Sequence, residues 1–328
     1  MKFLHSRLST FFQKVLPVFC AISFLLLLSS CSEDEQDIVS EPVEEKEWLD
    51  CADKTMPKPR DVVSVIYVEV NSYDMRNVMA YSHPDGEPFF NIANIFAANI
   101  NYDVNQDKAV LFFNPNVERV LENKQMYVEP LQEKGIKVLL SVLGNHQGVG
   151  IANFETAEKA ADFAKQVADA VDKYDLDGVD LDDEFSKYGT NGQPEVNSES
   201  LLWLLEALRN LMPDKLISYY RIGPSSEFLN VNGKEAGNYI DYSYQPYYGR
   251  YNAGITVSGL CNARISASAI NVRENPLFQA IDFARRTKAD QFGAYMMYNL
   301  DGIDRADYFS QISTILYEQE VMLTEKLY

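Results

Sequence analysis

Histidine and cysteine are scarce in this chain of 328 residues. There are three histidines (His5, His83, His146) and four cysteines (Cys20, Cys31, Cys51, Cys261). No pair among them has the short spacing of a zinc site. A Ser-His-Asp triad would have to draw on His83 or His146, because His5 lies in a leader-like segment. No Gly-Lys-Ser/Thr occurs, which removes P-loop phosphate binding. The run Gly148-Val149-Gly150 continues to Asn153, where a dinucleotide fingerprint requires glycine. Basic residues are also outnumbered: 29 Lys+Arg against 48 Asp+Glu leave a net charge of −19. That balance argues against a nucleic-acid partner. Hydrophobic residues make up 46% and aromatics 12%, enough for a real core and incompatible with disorder along the whole length.

Residues 1–30 read as a targeting segment. Lys2, Arg7 and Lys14 form a basic start, and Val15–Leu28 is a mostly apolar run. That run is too short to span about 30 Å of hydrocarbon comfortably. It ends in Leu28-Ser29-Ser30-Cys31, which resembles a bacterial lipobox, with Cys31 as the lipidated residue. The bland alternative is an ordinary secretory signal with an incidental cysteine. Residues 31–57 then read as a lipidated cysteine and an acidic linker. Within Ser32–Asp50, Glu33, Asp34, Glu35, Asp37, Glu41, Glu44, Glu45, Glu47 and Asp50 face one base, Lys46. Like charges repel and extend such a tether. Acidic residues directly after Cys31 resemble export signals of surface-exposed lipoproteins in some Gram-negative bacteria. The expected location is therefore the cell envelope: a lipid anchor in the outer membrane, displayed at the surface. A solvated linker is the plain alternative. An extracytoplasmic setting permits a disulfide between Cys51 and Cys261, though one distant pair carries little information.

Length allows two domains of roughly 150 residues, or one barrel of about 250 residues plus a leader. From residue 58 onward, short apolar strands alternate with amphipathic helices. Strands are expected at Val62–Glu69, Asn94–Asn99, Ile136–Leu143, Gly178–Asp182, Leu216–Tyr220, Tyr239–Tyr244 and Gly293–Tyr298, with a weak one near Arg264–Ala267. Helices are expected at Asn116–Lys134, Thr156–Tyr174, Ser198–Leu211, Pro276–Thr287 and Arg305–Glu318. In Thr156–Tyr174, Ala160, Phe163, Ala164, Val167 and Val171 recur at three and four, which marks one buried face. Such alternation predicts a parallel α/β sheet, best accommodated as a single-domain (β/α)8 TIM barrel over residues 58–328. An open doubly wound sheet is the runner-up. It needs a Gly-rich first turn, and the chain instead reads Val70-Asn71-Ser72-Tyr73.

The most informative stretch is Asp177-Gly178-Val179-Asp180-Leu181-Asp182-Asp183-Glu184. On a strand, side chains alternate between faces, so Asp180, Asp182 and Glu184 share one face while Val179 and Leu181 share the other. In a barrel the apolar pair packs against helices, and the acids point inward and climb toward the C-terminal mouth. Three carboxylates in a closed core are costly unless paired or hydrogen-bonded. From the spacing alone, three readings stay open: catalysis, an edge strand with an acidic solvent face, and a cation site.

This string matches every fixed position of the DGxDxDxE signature and resembles glycoside hydrolase family 18. The wider chain is similar to the endoglycosidase H branch of that family. The similarity is carried by Ser64–Asn71, Ile95–Asp103, Ser141–Gly148, Gln245–Gly249 and Tyr298–Gly302. The resemblance implies an endo-β-N-acetylglucosaminidase that cuts between the two core N-acetylglucosamines of N-linked glycans, high-mannose or hybrid. It implies the substrate-assisted exception to two-carboxylate glycosidases. Glu184 is then general acid and base, Asp182 orients the substrate acetamido group, and Asp180 supports Asp182. Tyr247 bonds the acetamido carbonyl with Gln245 beside it, and Asn145, Tyr298 and Asn299 contact sugar. His146 has no role in this mechanism, and Tyr67, Glu69 and Phe96 are expected to line the barrel interior in packing roles. No metal or cofactor is implied. The implied partners are N-glycans of glycoproteins and, through the lipid alone, a membrane. The default for such a barrel is a monomer.

Two other functions compete. A chitinase of this family typically carries a tryptophan on the eighth strand, whereas the two tryptophans here, Trp48 and Trp203, lie in the tether and a helix. A surface glycan-binding protein on a degenerate hydrolase fold ordinarily loses the acid, and here Asp180, Asp182 and Glu184 are all retained.

Overall fold

The computed structural model describes residues 62–328. The expectations for residues 1–61, including Cys31 and the signal and linker segments, lie outside the described residues. So does the Cys51 half of the proposed pair, while Cys261 is disulfide-bonded.

Eight parallel strands form a ring: β1 (Val63–Glu69), β2 (Ile92–Asp103), β3 (Lys137–Gly144), β4 (Gly178–Asp182), β5 (Leu216–Tyr220), β6 (Tyr242–Tyr244), β7 in two pieces (Ile265–Ser266 and Ser268–Asn271) and β8 (Ala294–Tyr298). Each pairs with the next in sequence, and β1 pairs with β8 in register Val63↔Ala294. The ring is completed across Ala267: Ile265 pairs with Ser243 of β6, and Ala269 pairs with Met296 of β8. The sheet therefore closes as a barrel, and the open doubly wound alternative is ruled out. The fold expectation holds.

Period-two alternation sorts the side chains. Val65 and Tyr67 of β1, Leu139 of β3, Tyr220 of β5, Tyr244 of β6 and Met296 of β8 pack in one interior cluster. Ile66, Val68, Val138, Leu140, Val179, Leu181 and Ile217 belong to the outer core beneath the helices. Five helices of two turns or more follow strands: α1 (Pro115–Glu122), α2 (Ala157–Lys173), α3 (Ser200–Leu211), α4 (Leu277–Ala289) and α5 (Ala306–Tyr317). Helix α2 begins where the Thr156 side chain accepts the Lys159 N–H and buries the Ala160, Phe163, Ala164, Val167 and Val171 face, as the periodicity predicts. Among the described residues, no helix is long and apolar enough to cross a membrane.

Several boundaries differ from expectation. Asn116–Lys134 is not one helix. It breaks into α1 and two short pieces, Lys124–Tyr127 and Glu129–Glu133. Pro130 has no N–H to continue the ladder, so the chain restarts around Val128. β2 runs on to Asp103 and forms a hairpin with Lys108–Phe112. The strand expected from Tyr239 starts at Tyr242, after a turn of 3-10 helix over Ala236–Asn238. There Asp241 is diverted to the Ile217 N–H and to Arg209, at 2.9 and 2.6 Å. Arg264 closes another such turn, and β7 begins only at Ile265. After β1, β5 and β6, only 3-10 turns and short hairpins occupy the helix positions.

Candidate active site

β4 is flanked by β3 and β5 along its whole length, with Asp180 beside Ser141 and Ser218, and Asp182 beside Leu143 and Tyr220. The edge-strand alternative is thereby excluded. Asp180 is completely buried. Its two oxygens accept hydrogen bonds from Ser141 Oγ at 2.8 Å and Ser218 Oγ at 2.6 Å. Both serines are interior positions of the neighbouring strands, so two adjacent hydroxyls solvate the carboxylate in place of water. Burial still raises its pKa against those bonds. The hydroxyls of Tyr67 and Tyr244 are buried beside the same carboxylate.

Asp182 is also buried. Burial, then the charges of Glu184 and Asp180, hold its carboxyl well above the ordinary range. One oxygen accepts the Glu184 N–H at 3.0 Å. Glu184 lies two residues further toward the mouth and is half-buried, and burial raises its pKa as well. Acids this close cannot all ionise cheaply, so the row retains protons that isolated carboxyls would lose. Among the described residues, no group of three or more His, Cys, Asp or Glu side chains is arranged to hold a metal ion.

Aromatic rings surround the row. Tyr67 packs against Phe96, Tyr220 and Tyr244 with ring centroids 6.0, 6.2 and 6.2 Å apart. Tyr298 stacks on Tyr248 at 4.8 Å with 10° between the planes, and meets Phe96 edge-on at 5.8 Å. Tyr67 and Phe96 thus line the interior as expected. Glu69 sits at the end of β1, where burial raises its pKa.

The other residues singled out above surround the strand ends in different ways. Asn145, after β3, donates to Asn101 Oδ1 at 2.8 Å. Gln245, after β6, is buried and donates to the Pro246 carbonyl at 2.7 Å, while its Oε1 has no partner. Tyr247 is 54% exposed. Its backbone is left-handed and its N–H is bound to the Tyr220 hydroxyl at 3.2 Å. Asn299, also left-handed, is buried and held by its N–H on the Tyr67 carbonyl at 2.9 Å. His146 stands against Phe185 with ring centroids 5.3 Å apart.

Sequence reasoning missed four residues here. Ser141 and Ser218 flank Asp180, and Tyr220 and Tyr248 feel the charge of Asp182. For Ser141, Ser218 and Tyr220 a signal existed, since each falls on the inward parity of its strand once the barrel register is known. Tyr248 follows a turn whose shape no local pattern discloses. A separate hollow of about 240 Å³ contains none of the three acids and is bordered by Tyr102, Phe154, Lys159 and Pro194.

A closed parallel barrel with an inward row of proton-retaining acids at its C-terminal mouth defines a barrel enzyme built for acid–base chemistry. The model of glycosyl hydrolases family 18 matches residues 63–244, and the chain belongs to that family. It is 49% identical over 263 residues to an endo-beta-N-acetylglucosaminidase of Flavobacterium sp. (strain SK1022), covering 80% of this chain and 83% of that one. It is 36% identical to endo-beta-N-acetylglucosaminidase F1 of Elizabethkingia meningoseptica, over 72% of this chain and 70% of that protein. Among solved structures, EndoBT-3987 of Bacteroides thetaiotamicron with Man5GlcNAc product superposes with a TM-score of 0.73 at 26% identity. That match covers 84% of this chain but only 65% of EndoBT-3987.

Proposed function

We propose that this protein is an endo-β-N-acetylglucosaminidase that cleaves N-linked glycans between the two core N-acetylglucosamines. The names of the two relatives support the activity. The Man5GlcNAc product held by EndoBT-3987 supports high-mannose chains as substrate, with hybrid chains as the next class. The observation that carries the reading is Asp180 and Asp182 on the barrel-facing side of β4, with Glu184 two residues beyond Asp182 at the strand's end and all three carboxyls raised in pKa.

In the proposed mechanism the protonated Glu184 gives its proton to the glycosidic oxygen. The C1–O bond breaks, and its electron pair stays with that oxygen. The 2-acetamido carbonyl oxygen attacks C1 and closes an oxazolinium ring. Asp182 accepts the acetamido N–H and stabilises the positive charge, while Asp180, fixed by Ser141 and Ser218, holds Asp182 in place. Water then attacks C1 and leaves its proton on Glu184; the C1–O bond of the oxazolinium ring breaks, its electron pair returns to the acetamido carbonyl oxygen, and the configuration is retained. Tyr247, with Gln245 beside it, hydrogen-bonds the acetamido carbonyl. Asn145, Tyr298 and Asn299 contact sugar. This chemistry calls for no cofactor.

Cys31 carries lipid after removal of residues 1–30, and the acidic stretch to residue 57 is the tether of a monomer on the outer membrane, exposed at the cell surface. Cys31→Ser should move the protein from the membrane fraction to the soluble fraction and abolish fatty-acid labelling. Labelling of the variant would refute the anchor. For the activity, a soluble form beginning near Pro57 is incubated with a glycoprotein bearing only high-mannose chains. Intact mass should fall to the polypeptide plus one N-acetylglucosamine per site. An unchanged mass, with turnover of chitin oligomers instead, would make it a chitinase.

A further inference from the structure

The acid of the proposed mechanism has little to hold it. Among the described residues, Glu184 makes one hydrogen bond, from its backbone N–H to Asp182 Oδ1. Its carboxyl is therefore aimed by the backbone. That backbone is held by the side chain just before it, Asp183, past the end of β4. Asp183 is 3% exposed. It accepts the Tyr188 hydroxyl on Oδ1, and the Ser225 N–H on Oδ2 at 2.8 Å.

Each partner is anchored in a different loop. The Tyr188 oxygen accepts the Ala152 N–H at 3.0 Å, in the loop after β3. Ser225 lies after β5, where its hydroxyl meets the Tyr219 hydroxyl at 2.8 Å. The packing leaves no slack around this chain of bonds. Gly223 has φ +72, and a Cβ there would lie 2.2 Å from the Asp183 carbonyl oxygen. A Cβ on Gly150 would lie 2.4 Å from the Tyr188 oxygen. A buried carboxylate beside two further acids is costly, and an apolar residue would fill the space more cheaply. What the carboxylate supplies and an apolar side chain cannot is an acceptor for two converging donors.

We propose that Asp183 is a positioning residue whose carboxylate, through Tyr188 and Ser225, locks the loops after β3, β4 and β5 together and so fixes the direction of the Glu184 carboxyl. It touches no substrate. The inference deepens the proposed function, because it assigns the support of that same acid.

The test compares Tyr188→Phe, Asp183→Asn and the double variant with the wild type. Tyr188→Phe keeps the ring and deletes the bond. Asp183→Asn keeps the shape and deletes the charge. Misplacement of a reacting group by about 1 Å costs about 100-fold, so each single variant should lose roughly 10- to 100-fold in kcat while KM stays within about twofold. The double variant should be no worse than the poorer single, since both cut one link. Hydrogen exchange of the 184–188 amides should rise in both singles. Singles with wild-type kcat, a KM increase at unchanged kcat, or fully additive losses would each overturn the proposal. If the wild type releases no glycan, the functional reading fails by itself. Exchange then decides the clamp alone: wild-type protection of the 184–188 amides in both singles overturns it. Should Asp183→Asn not fold, Tyr188→Phe carries the comparison.

Discussion

Asp182 shows what the site costs the fold. Its pKa in the folded protein is raised well above the usual value by burial and by Glu184 and Asp180. The native state therefore holds a proton that the unfolded chain releases near pH 4. Native protein binds more protons than unfolded protein above that pH, so this group makes stability fall as pH rises from about 4 toward neutrality. Asp182→Asn removes the penalty and keeps the shape. It should raise Tm at pH 7 by a few degrees, measured by calorimetry, while lowering kcat by about 100-fold or more. A variant that melted lower at pH 7 and higher at pH 4 would contradict this assignment. Such opposition between stability and activity is common at catalytic groups. Asp183, pushed up to about 6 by burial against its bonds to Tyr188 and Ser225, works in the same direction between about pH 4 and 6. Asp183→Asn should flatten the Tm profile across that window.

The acid-bearing strand could be read from sequence because its information is local. Alternation alone places Val179 and Leu181 outward and Asp180 and Asp182 inward, and the barrel does the same. Four of the five expected helices were readable for a similar reason, down to the buried stripe of α2, whereas Asn116–Lys134 is broken at Val128–Pro130. The loops were not. Phe185 and Tyr247 adopt positive φ, a conformation that bulky aromatic residues rarely choose and that surrounding contacts impose. The join between the β3 and β4 loops is another long-range feature. A Cβ on Gly144 would lie 2.3 Å from the Glu184 carbonyl oxygen, so this glycine is required by a segment forty residues away. Gly144→Ala should lower kcat roughly 10- to 100-fold by displacing Glu184. Gly192→Ala lies in the same β4 loop at φ +77 with open space around it. It should cost about 1–2 kcal/mol of backbone strain and leave kcat unchanged. Equal loss of activity in both would remove the special role of Gly144.

The barrel as a whole is complete in strands and incomplete in helices. Where a helix would follow β1, the 3-10 turn Met75–Ala80 is covered instead by the far end of the described chain. Met322–Leu323 pairs with Tyr81–Ser82, and the Tyr328 N–H is bound to Asn77 Oδ1 at 2.8 Å. Arg76 stands 3.4 Å from the Tyr328 ring centroid. These contacts join positions some 250 residues apart in sequence, which is why no local pattern announced the substitution. Deleting residues 321–328 should uncover this turn and lower Tm by several degrees. Since the acids are carried by β4 on the far side of the ring, kcat below the new Tm should hold. Loss of kcat without loss of Tm would show that the segment serves the site and not the fold.

The central claim is that Glu184 is the proton donor for cleavage beside an N-acetylglucosamine. The direct measurement is Glu184→Gln on a high-mannose glycoprotein, with intact mass for turnover and calorimetry for glycan binding. The account predicts a loss of at least about 1,000-fold in release, with glycan affinity within a few fold of the wild type. Release at the wild-type rate would contradict it.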